Sequence, residues 1–194
     1  MIDTIAKYKN IMPSIHLPVQ SGNSKILKLM GRRYTKDDYL TLFFKLKERI
    51  PNVSISTDII VGFPNETEEE FNDTLDLVEK CKYDLAYTFI FSKRVGTPAE
   101  KMEDNISQEE KEQRLYKLND LVNKYALENN KKLENEIVEV LVESSSDKEG
   151  YLMGYSDTNK LVNLKGSKEL IGQIVKVKIT EAKTWSLNGE YIEK

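Results

Sequence analysis

Two periodicities divide this chain. From Ser14 onward, short apolar runs alternate with segments whose apolar positions recur at helical spacing. Ser14 to Val19 reads as a short strand ended by Gln20-Ser21-Gly22-Asn23, and Ser24 to Met30 as a compact helix with Ile26, Leu27 and Met30 on one side. A second helix is predicted over Lys36 to Arg49 from the stripe Tyr39, Leu42, Phe43 and Leu46, closed by Pro51-Asn52. The strand that follows, Ile55 to Val61, is nearly continuous apolar sequence at Ile59-Ile60-Val61, a pattern that suits a parallel strand buried on both faces. Thr67 is placed to N-cap the next helix, with Glu68, Glu69 and Glu70 in its first turn and Phe71, Leu75 and Val78 on its buried side. Leu85 to Phe91 then gives a third strand, so the order strand, helix, strand, helix, strand implies parallel crossovers.

Ser107 with Glu110 has the spacing of a capping box for a long charged helix reaching about Lys132, with Leu115, Leu118, Val122 and Tyr125 on one side; it reads as a surface spacer. Beyond it the period changes to two. Val138, Val140 and Val142 alternate with other residues, as do Val175, Val177 and Ile179, and Asn188-Gly189 carries a hairpin-turn signal. A small all-β module of this kind suits a closed or nearly closed barrel, because closure removes exposed edges. The expected division is residues 1–130, an α/β part with its linking helix, and residues 131–194, the β-barrel.

One acid breaks the apolar strand. Asp58 sits inside it, and a carboxylate at the end of a buried parallel strand is costly unless it is paired or faces a ligand. Strand C-terminal ends are where α/β folds bind ligands. Gln20 and Arg32 occupy comparable places after the first strand and its helix, so the three polar residues are expected at one rim. Their roles remain open on spacing alone: Gln20 could cap the helix, Arg32 could pair with Asp38 or Asp58, and Asp58 could bond to nearby backbone.

Composition narrows the chemistry. The 194 residues carry a formal net charge of −3, which gives no general footprint of a nucleic-acid binder. No apolar run has membrane-spanning length and the N-terminus lacks the core of a signal peptide, so a cytoplasmic location and no membrane partner are expected. With Cys81 the only cysteine, this chain holds neither an internal disulfide nor a cysteine-ligated zinc or iron–sulfur site. Cys81, at the end of an amphipathic helix, reads as inert packing. His16, the single histidine, reads as a structural strand residue because no partner nucleophile or second metal ligand is evident.

Four separated motifs carry a resemblance. His16-Leu17-Pro18-Val19-Gln20-Ser21-Gly22, then Leu27-Lys28-Leu29-Met30-Gly31-Arg32-Arg33-Tyr34-Thr35, then Ser56-Thr57-Asp58-Ile59-Ile60-Val61-Gly62-Phe63-Pro64, then Phe91-Ser92-Lys93-Arg94-Val95-Gly96-Thr97-Pro98-Ala99 resemble the radical SAM methylthiotransferases. Within that family they are most similar to the branch that makes 2-methylthio-N6-isopentenyladenosine in tRNA. The β module, with Val140-Leu141-Val142-Glu143, Gly154, Asn159 and Ile179-Thr180, resembles the TRAM domain that ends those enzymes.

The resemblance implies a fold: the C-terminal half of a partial parallel βα barrel, the radical SAM core, followed by a TRAM barrel. It also implies roles. Gln20 and Asp58 would bond the ribose of S-adenosyl-L-methionine, Arg32 would hold its carboxylate by a charge-assisted pair, and Ile60, on the same strand face as Asp58, would pack near the adenine. Ser92 and Arg94, on the loop after the last barrel strand, are candidates for substrate or RNA contact. In the β module, Lys160 and Lys165 near Asn159 are candidates for RNA phosphate, and Tyr155, standing where the family's Gly-Arg-Thr has arginine, is a candidate for base stacking. The implied partners are tRNA and the missing N-terminal half of the same enzyme, which is expected to be a monomer when intact.

The cysteine triplet that binds the SAM-cleaving cluster is not in this chain, nor are the three cysteines for a second cluster. The two 4Fe-4S clusters of the family would therefore have their ligands outside it, and no catalytic or metal-binding residue is assigned within it. For the intact enzyme the resemblance implies reductive SAM cleavage, hydrogen abstraction from C2 of an isopentenylated adenosine and insertion of a methylthio group. This chain alone is expected to be inactive. Two other readings are carried: a stand-alone RNA-binding module without catalysis, and the branch that modifies a ribosomal-protein aspartate.

Overall fold

The structure, a computed structural model, describes residues 1–192. A short helix α1 (Ile2–Lys7), which no sequence pattern announced, opens the chain. There follow β1 (Ser14–His16), α2 (Ser24–Leu29), α3 (Lys36–Arg49), β2 (Ser54–Val61), α4 (Glu68–Cys81), β3 (Leu85–Ile90) and the long helix α5 (Gln108–Lys131). The C-terminal strands are β4 (Ile137–Ser145), β5 (Tyr151–Ser156), β6 (Leu161–Lys165), β7 (Ile174–Ala182) and β8 (Leu187–Tyr191). The chain divides into two compact units: His16–Glu48 with Ile55–Asn123, and Met1–Ile15 with Arg49–Ser54 and the chain from Lys124 on.

The α/β unit is built on a three-stranded sheet in the order β1-β2-β3, with β2 and β3 parallel and Asp58 in register with Tyr87, Ile60 with Phe89. Successive side chains of β2 point to opposite faces, and burial follows that parity. Ile55, Thr57, Ile59 and Val61 are fully buried, and Thr57 meets Tyr39 of α3, which marks this as the helix-covered face. Ser56, Asp58 and Ile60 on the other face are only partly buried, and Tyr87 and Phe89 beside them are 50% and 51% exposed. The expectation of a strand buried on both faces is therefore corrected. Ile60 reads as apolar sequence, yet it lies on the open face with Asp58.

Helix termini explain where the chain turns. Asn23 caps α2, its side chain accepting the Lys25 and Ile26 N–H groups. Thr67 and Glu70 form the full capping box of α4, whose buried side is Phe71, Thr74, Leu77 and Val78, with Leu75 only partly covered. At α5 half of the expected box is made: Ser107 Oγ accepts the Glu110 N–H, while the Glu110 carboxylate bonds Arg114 instead. The helix is also more than a surface spacer, because Lys111 and Arg114 are buried together with Leu118 and Val122.

The β module closes into a barrel in the order β4-β5-β6-β8-β7, with a parallel β6–β8 seam. Its inward residues Val140, Val142, Leu152, Val162, Leu164, Val177, Ile179 and Leu187 are at most 1% exposed. Burying each such side chain is worth about 1.5–3 kcal/mol, so this core is the main support of a module this small. Asn188-Gly189 is not a turn. Both residues lie within β8, and the β7–β8 turn is made by Lys183 to Ser186, closed by the Lys183 N–H to the Ser186 carbonyl at 2.8 Å. Gly189 is needed for closeness: a Cβ there would stand 2.4 Å from Val177 Cγ1. Glycine serves close approach as well as turns, and the sequence pattern does not distinguish the two uses.

Candidate functional site

The segment after β1 is held through its backbone. The Leu17 N–H donates to the Ser56 carbonyl at 2.8 Å, and Pro18 has no N–H to place. The Val19 N–H donates to Thr57 Oγ1 and the Gly22 N–H to Thr74 Oγ1, both at 2.9 Å. Tyr39 donates to the Leu17 carbonyl at 2.8 Å, and Tyr34 lies 3.2 Å from the Pro18 and Val19 carbonyls. Gln20 is bracketed by β2, giving its N–H to Asp58 O and taking the Ile60 N–H on its carbonyl, both at 2.9 Å. It adopts φ +69°, a left-handed conformation rare outside glycine and asparagine, at a 7% exposed position. Such strain persists where the surroundings over-determine it, and here the neighbouring hydrogen bonds just named do. Gly22 allows the segment to touch α4, since a Cβ would come within 2.4 Å of Thr74 Cα.

Gln20, Asp58 and Ile60 are thus brought together. The carboxylate of Asp58 lies 3.4 Å from His16 Nε2, and the other ring nitrogen, Nδ1, lies 3.0 Å from Ser56 Oγ. His16 also meets Tyr87 edge-on at 6.1 Å between ring centres. His16 is therefore a member of the Asp58 cluster, which its placement as a lone histidine on a strand did not suggest. The signal available was parity: Ser56, Asp58 and Ile60 alternate along β2, as do Tyr87 and Phe89 along β3.

Arg32 is placed by the end of α2. Gly31 at φ +75° follows the helix, its N–H reaching Lys28 O at 3.0 Å while the Arg32 N–H reaches Leu27 O at 2.9 Å, the paired bonds of a Schellman motif. Its guanidinium is exposed, and neither expected acid holds it: Asp38 bonds Thr35, and Asp58 bonds no side chain but His16 among the described residues. The charge of Arg32 depresses the Tyr34 hydroxyl slightly against burial, which pushes it upward overall.

The turn leaving β2 is locked from the far side. Gly62, at φ +67°, donates its N–H to Glu66 Oε2 at 2.9 Å. Arg114 gives one nitrogen, Nη1, to both the Glu66 carbonyl at 2.8 Å and Oε2 at 3.0 Å. Burial raises the Glu66 carboxyl above its ordinary range, only partly opposed by the Gly62 N–H and the Arg114 charge. Ser92 and Arg94 are exposed on the loop after β3, where the Arg94 carbonyl accepts Thr97 Oγ1 at 2.8 Å and Gly96 turns at φ +83°.

The barrel candidates separate into two groups. Tyr155 pairs with Leu161 and Leu141 on the outer surface, and Asn159, at φ +58°, makes the β5–β6 turn. Lys160 Nζ donates to Asn130 Oδ1 at 2.9 Å, and the same Asn130 amide donates to the Lys183 and Thr184 carbonyls. Lys165 stands apart from these, opposite Tyr151, in a groove of about 570 Å³ with Lys148, Lys183, Asn163 and Asn188. Lys148 Nζ sits 4.0 Å above the Tyr151 ring.

Residues 1–78 match the Radical SAM superfamily model and residues 131–192 the TRAM domain model. The whole chain aligns at 55% identity with tRNA-2-methylthio-N(6)-dimethylallyladenosine synthase of Bacillus cytotoxicus, covering 38% of that protein, and equally with its namesake from Bacillus mycoides. The namesake from Halalkalibacterium halodurans is also 55% identical, with 36% of it covered. This chain belongs to the radical SAM methylthiotransferase family. It spans well under half the length of these curated relatives, corresponding to their C-terminal part.

The residues present suit one of the cofactors that the family implies and not the other. Asp58, partly exposed next to the Gln20 backbone and Ile60, suits a ligand with hydroxyl groups and an apolar face, and the exposed Arg32 guanidinium, for which no acid partner stands among the described residues, suits a carboxylate. An iron–sulfur cluster does not fit this chain. Its one thiol, Cys81, is buried and pushed up to about 11 by that burial, and among the described residues no group of three metal-binding side chains forms. No helix among the described residues is long and apolar enough to cross a membrane.

Proposed function

We propose that this chain works as the C-terminal part of a tRNA methylthiotransferase: residues 1–130 supply one side of the S-adenosyl-L-methionine site and residues 131–194 an RNA-binding TRAM barrel. The observation that carries the reading is that the Gln20 backbone is bonded directly to Asp58 and Ile60 of β2, whose side chains lie on the open face of the sheet, in a chain 55% identical to such enzymes throughout. Asp58 and Gln20 bond the ribose, Ile60 covers the adenine edge and Arg32 takes the carboxylate with its planar fork. S-adenosyl-L-methionine, when bound and reduced by a cluster held outside this chain, supplies the radical chemistry for methylthio transfer to C2 of an N6-modified adenosine. What these residues do is bind and orient it.

Arg94 and Ser92 lie on a loop at the C-terminal end of β3, the edge of a βα barrel where substrate is met, and are assigned to the RNA. In the barrel, Tyr155, Asn159, Lys160 and Lys165 remain the RNA candidates, with Lys165 strengthened by its groove and Lys160 acting from a site already tied to Asn130. The intact enzyme is placed in the cytoplasm. Iron and sulfide assay with 5′-deoxyadenosine detection tests the division of labour: a longer protein carrying this chain turns over, and the chain alone does not. A reconstituted cluster with 5′-deoxyadenosine formation from this polypeptide by itself overturns it.

A second reading is supported by the closed barrel. With no open edge and a groove that sets Lys148, Lys165 and Lys183 beside Glu181 and Glu190, Lys183 being 3.7 Å from Glu181, it offers a polar surface that can take RNA independently of catalysis, chiefly through Lys148 and Lys165. It predicts tRNA affinity in the isolated chain with a steep salt slope, lost when Lys148, Lys165 and Lys183 are neutralised together.

A further inference from the structure

We propose that His16 is a positioning residue: it fixes the carboxylate of Asp58 through a chain running from Ser56 Oγ through the imidazole to Asp58 Oδ2, leaving Oδ1 as the oxygen offered to a ligand hydroxyl. The inference rests on the reading of Asp58 as a ribose-binding group. Its geometry stands independently of that reading.

Ser56 and Asp58 are two residues apart on β2, so their side chains leave the same face about 7 Å apart. His16 comes from the neighbouring strand, and its ring spans that gap, with Nδ1 3.0 Å from Ser56 Oγ and Nε2 3.4 Å from Asp58 Oδ2. The ring reaches over β2 far enough to meet Tyr87 of β3 edge-on, which limits its swing. The carboxylate accepts hydrogen bonds only, so the contact favours a proton on Nε2, and in the neutral imidazole that tautomer leaves Nδ1 with a lone pair that accepts the Ser56 hydroxyl. Protonation of the ring leaves the Nε2–H toward Asp58 in place. One Asp58 oxygen is thereby engaged, and among the described residues Oδ1 has no protein donor. The Asp58–His16 contact, at 3.4 Å, is an ion-pair distance longer than an optimal hydrogen bond.

A structural histidine needs neither a preferred tautomer nor any effect on a ligand. This one is the only histidine in the chain, so its ring nitrogens are resolved in a nitrogen-15 spectrum without assignment. In the neutral form the chain should show Nε2 protonated and Nδ1 bare, and Asp58→Ala together with Ser56→Ala should lower that tautomer excess several-fold. A wild-type ring averaged between tautomers, or protonated at Nδ1, overturns the proposal.

The second arm measures S-adenosylhomocysteine affinity in a full-length methylthiotransferase carrying this chain. His16→Phe, which keeps the ring packing, should weaken binding about tenfold, the size expected for one misplaced charged hydrogen bond, and His16→Gln should recover most of it. In an Asp58→Ala background His16→Phe should cost nothing further, because the residue it positions is gone. An equal His16→Phe penalty in both backgrounds overturns the positioning role. If Asp58→Ala alone leaves affinity unchanged while the tautomer is single, it is the ribose-binding reading of Asp58 that fails, and the positioning role falls with it although the hydrogen-bond chain stands.

Discussion

The two sheets of this chain face solvent in opposite ways. In the barrel every strand has two neighbours, and the residues of one parity are sealed into a core at most a few per cent exposed, with outward positions mainly polar. In the α/β unit only one face of the three-stranded sheet is sealed, and the other presents Asp58, His16, Ile60, Tyr87 and Phe89 on strands flanked by two edges. A barrel that satisfies its own edges needs no further chain for stability. A half-covered sheet leaves the ionisable and aromatic groups of its open face accessible to a ligand or to further chain.

The barrel is accordingly where small changes should cost most. Gly154 lies on the inner parity of β5, and a Cβ there would stand 2.1 Å from the Leu141 carbonyl oxygen, a backbone atom that cannot yield without opening the β4–β5 ladder. Gly154→Ala should destabilise the barrel by about 3 kcal/mol, measured by chemical denaturation followed through barrel amides. In the other unit Gly31→Ala meets nothing within 4 Å and has only its positive φ to accommodate, for about 1 kcal/mol. Equal costs at the two glycines break the contrast between a closed core and an open rim.

The α/β unit has its own buried weak point. Arg114 is 3% exposed, between Glu66, Glu68 and Glu110, and Arg114→Met should cost about 3 kcal/mol because Glu66 is left charged and unpaired in the interior. Pairing that change with Glu66→Gln should restore part of the loss, since the remaining amide oxygen still accepts the Gly62 N–H. A double variant as unstable as the single one means that the arginine matters through packing on Phe71, 5.6 Å away, and not through charge.

Asp58 separates stability from binding. Among the described residues its side chain pairs only with a half-exposed histidine, so Asp58→Asn should change unfolding free energy by less than about 0.5 kcal/mol while weakening S-adenosylhomocysteine binding in the full-length enzyme about tenfold. Unchanged affinity removes Asp58 from the site.

Much of this fold is legible in the sequence. The α3 boundaries, the Thr67 cap and the barrel's alternating valines come from local rules, periodicity and capping, that act within one element. What was not legible depends on partners distant in sequence. That Ile60 faces the open side, that Gly189 serves contact with Val177, and that Arg114 reaches back 48 residues to Glu66 are all consequences of which elements meet. The same holds for the site. Gln20 and Asp58 are candidates that motif alone singles out, but the backbone bonds that lock Gln20 into a left-handed turn and the imidazole standing between Ser56 and Asp58 arise only once β1 lies beside β2.

The smallest expected effect is in acid. Burial pushes Glu70 and Asp104 upward, but Lys25 and the Thr67 N–H outweigh it at Glu70, and Lys111 outweighs it at Asp104, so both end below their ordinary values of 4.5 and 3.8. Each therefore contributes stability that is present above its ordinary value and lost as pH falls through the lowered one. Glu66 has the opposite sign: raised by burial, it favours the folded state below 4.5 and loses that contribution as pH rises through its elevated value. On acidification from neutrality the α/β unit should first gain slightly as Glu66 protonates, then lose stability below about pH 4 as Glu70 and Asp104 are neutralised. Urea midpoints across this range, read from α/β-unit amides, should show that shallow rise in the wild type and none in Glu66→Gln. A rise that persists in Glu66→Gln assigns it to another group, and a wild-type curve that only falls means that the Arg114 charge, not burial, governs Glu66.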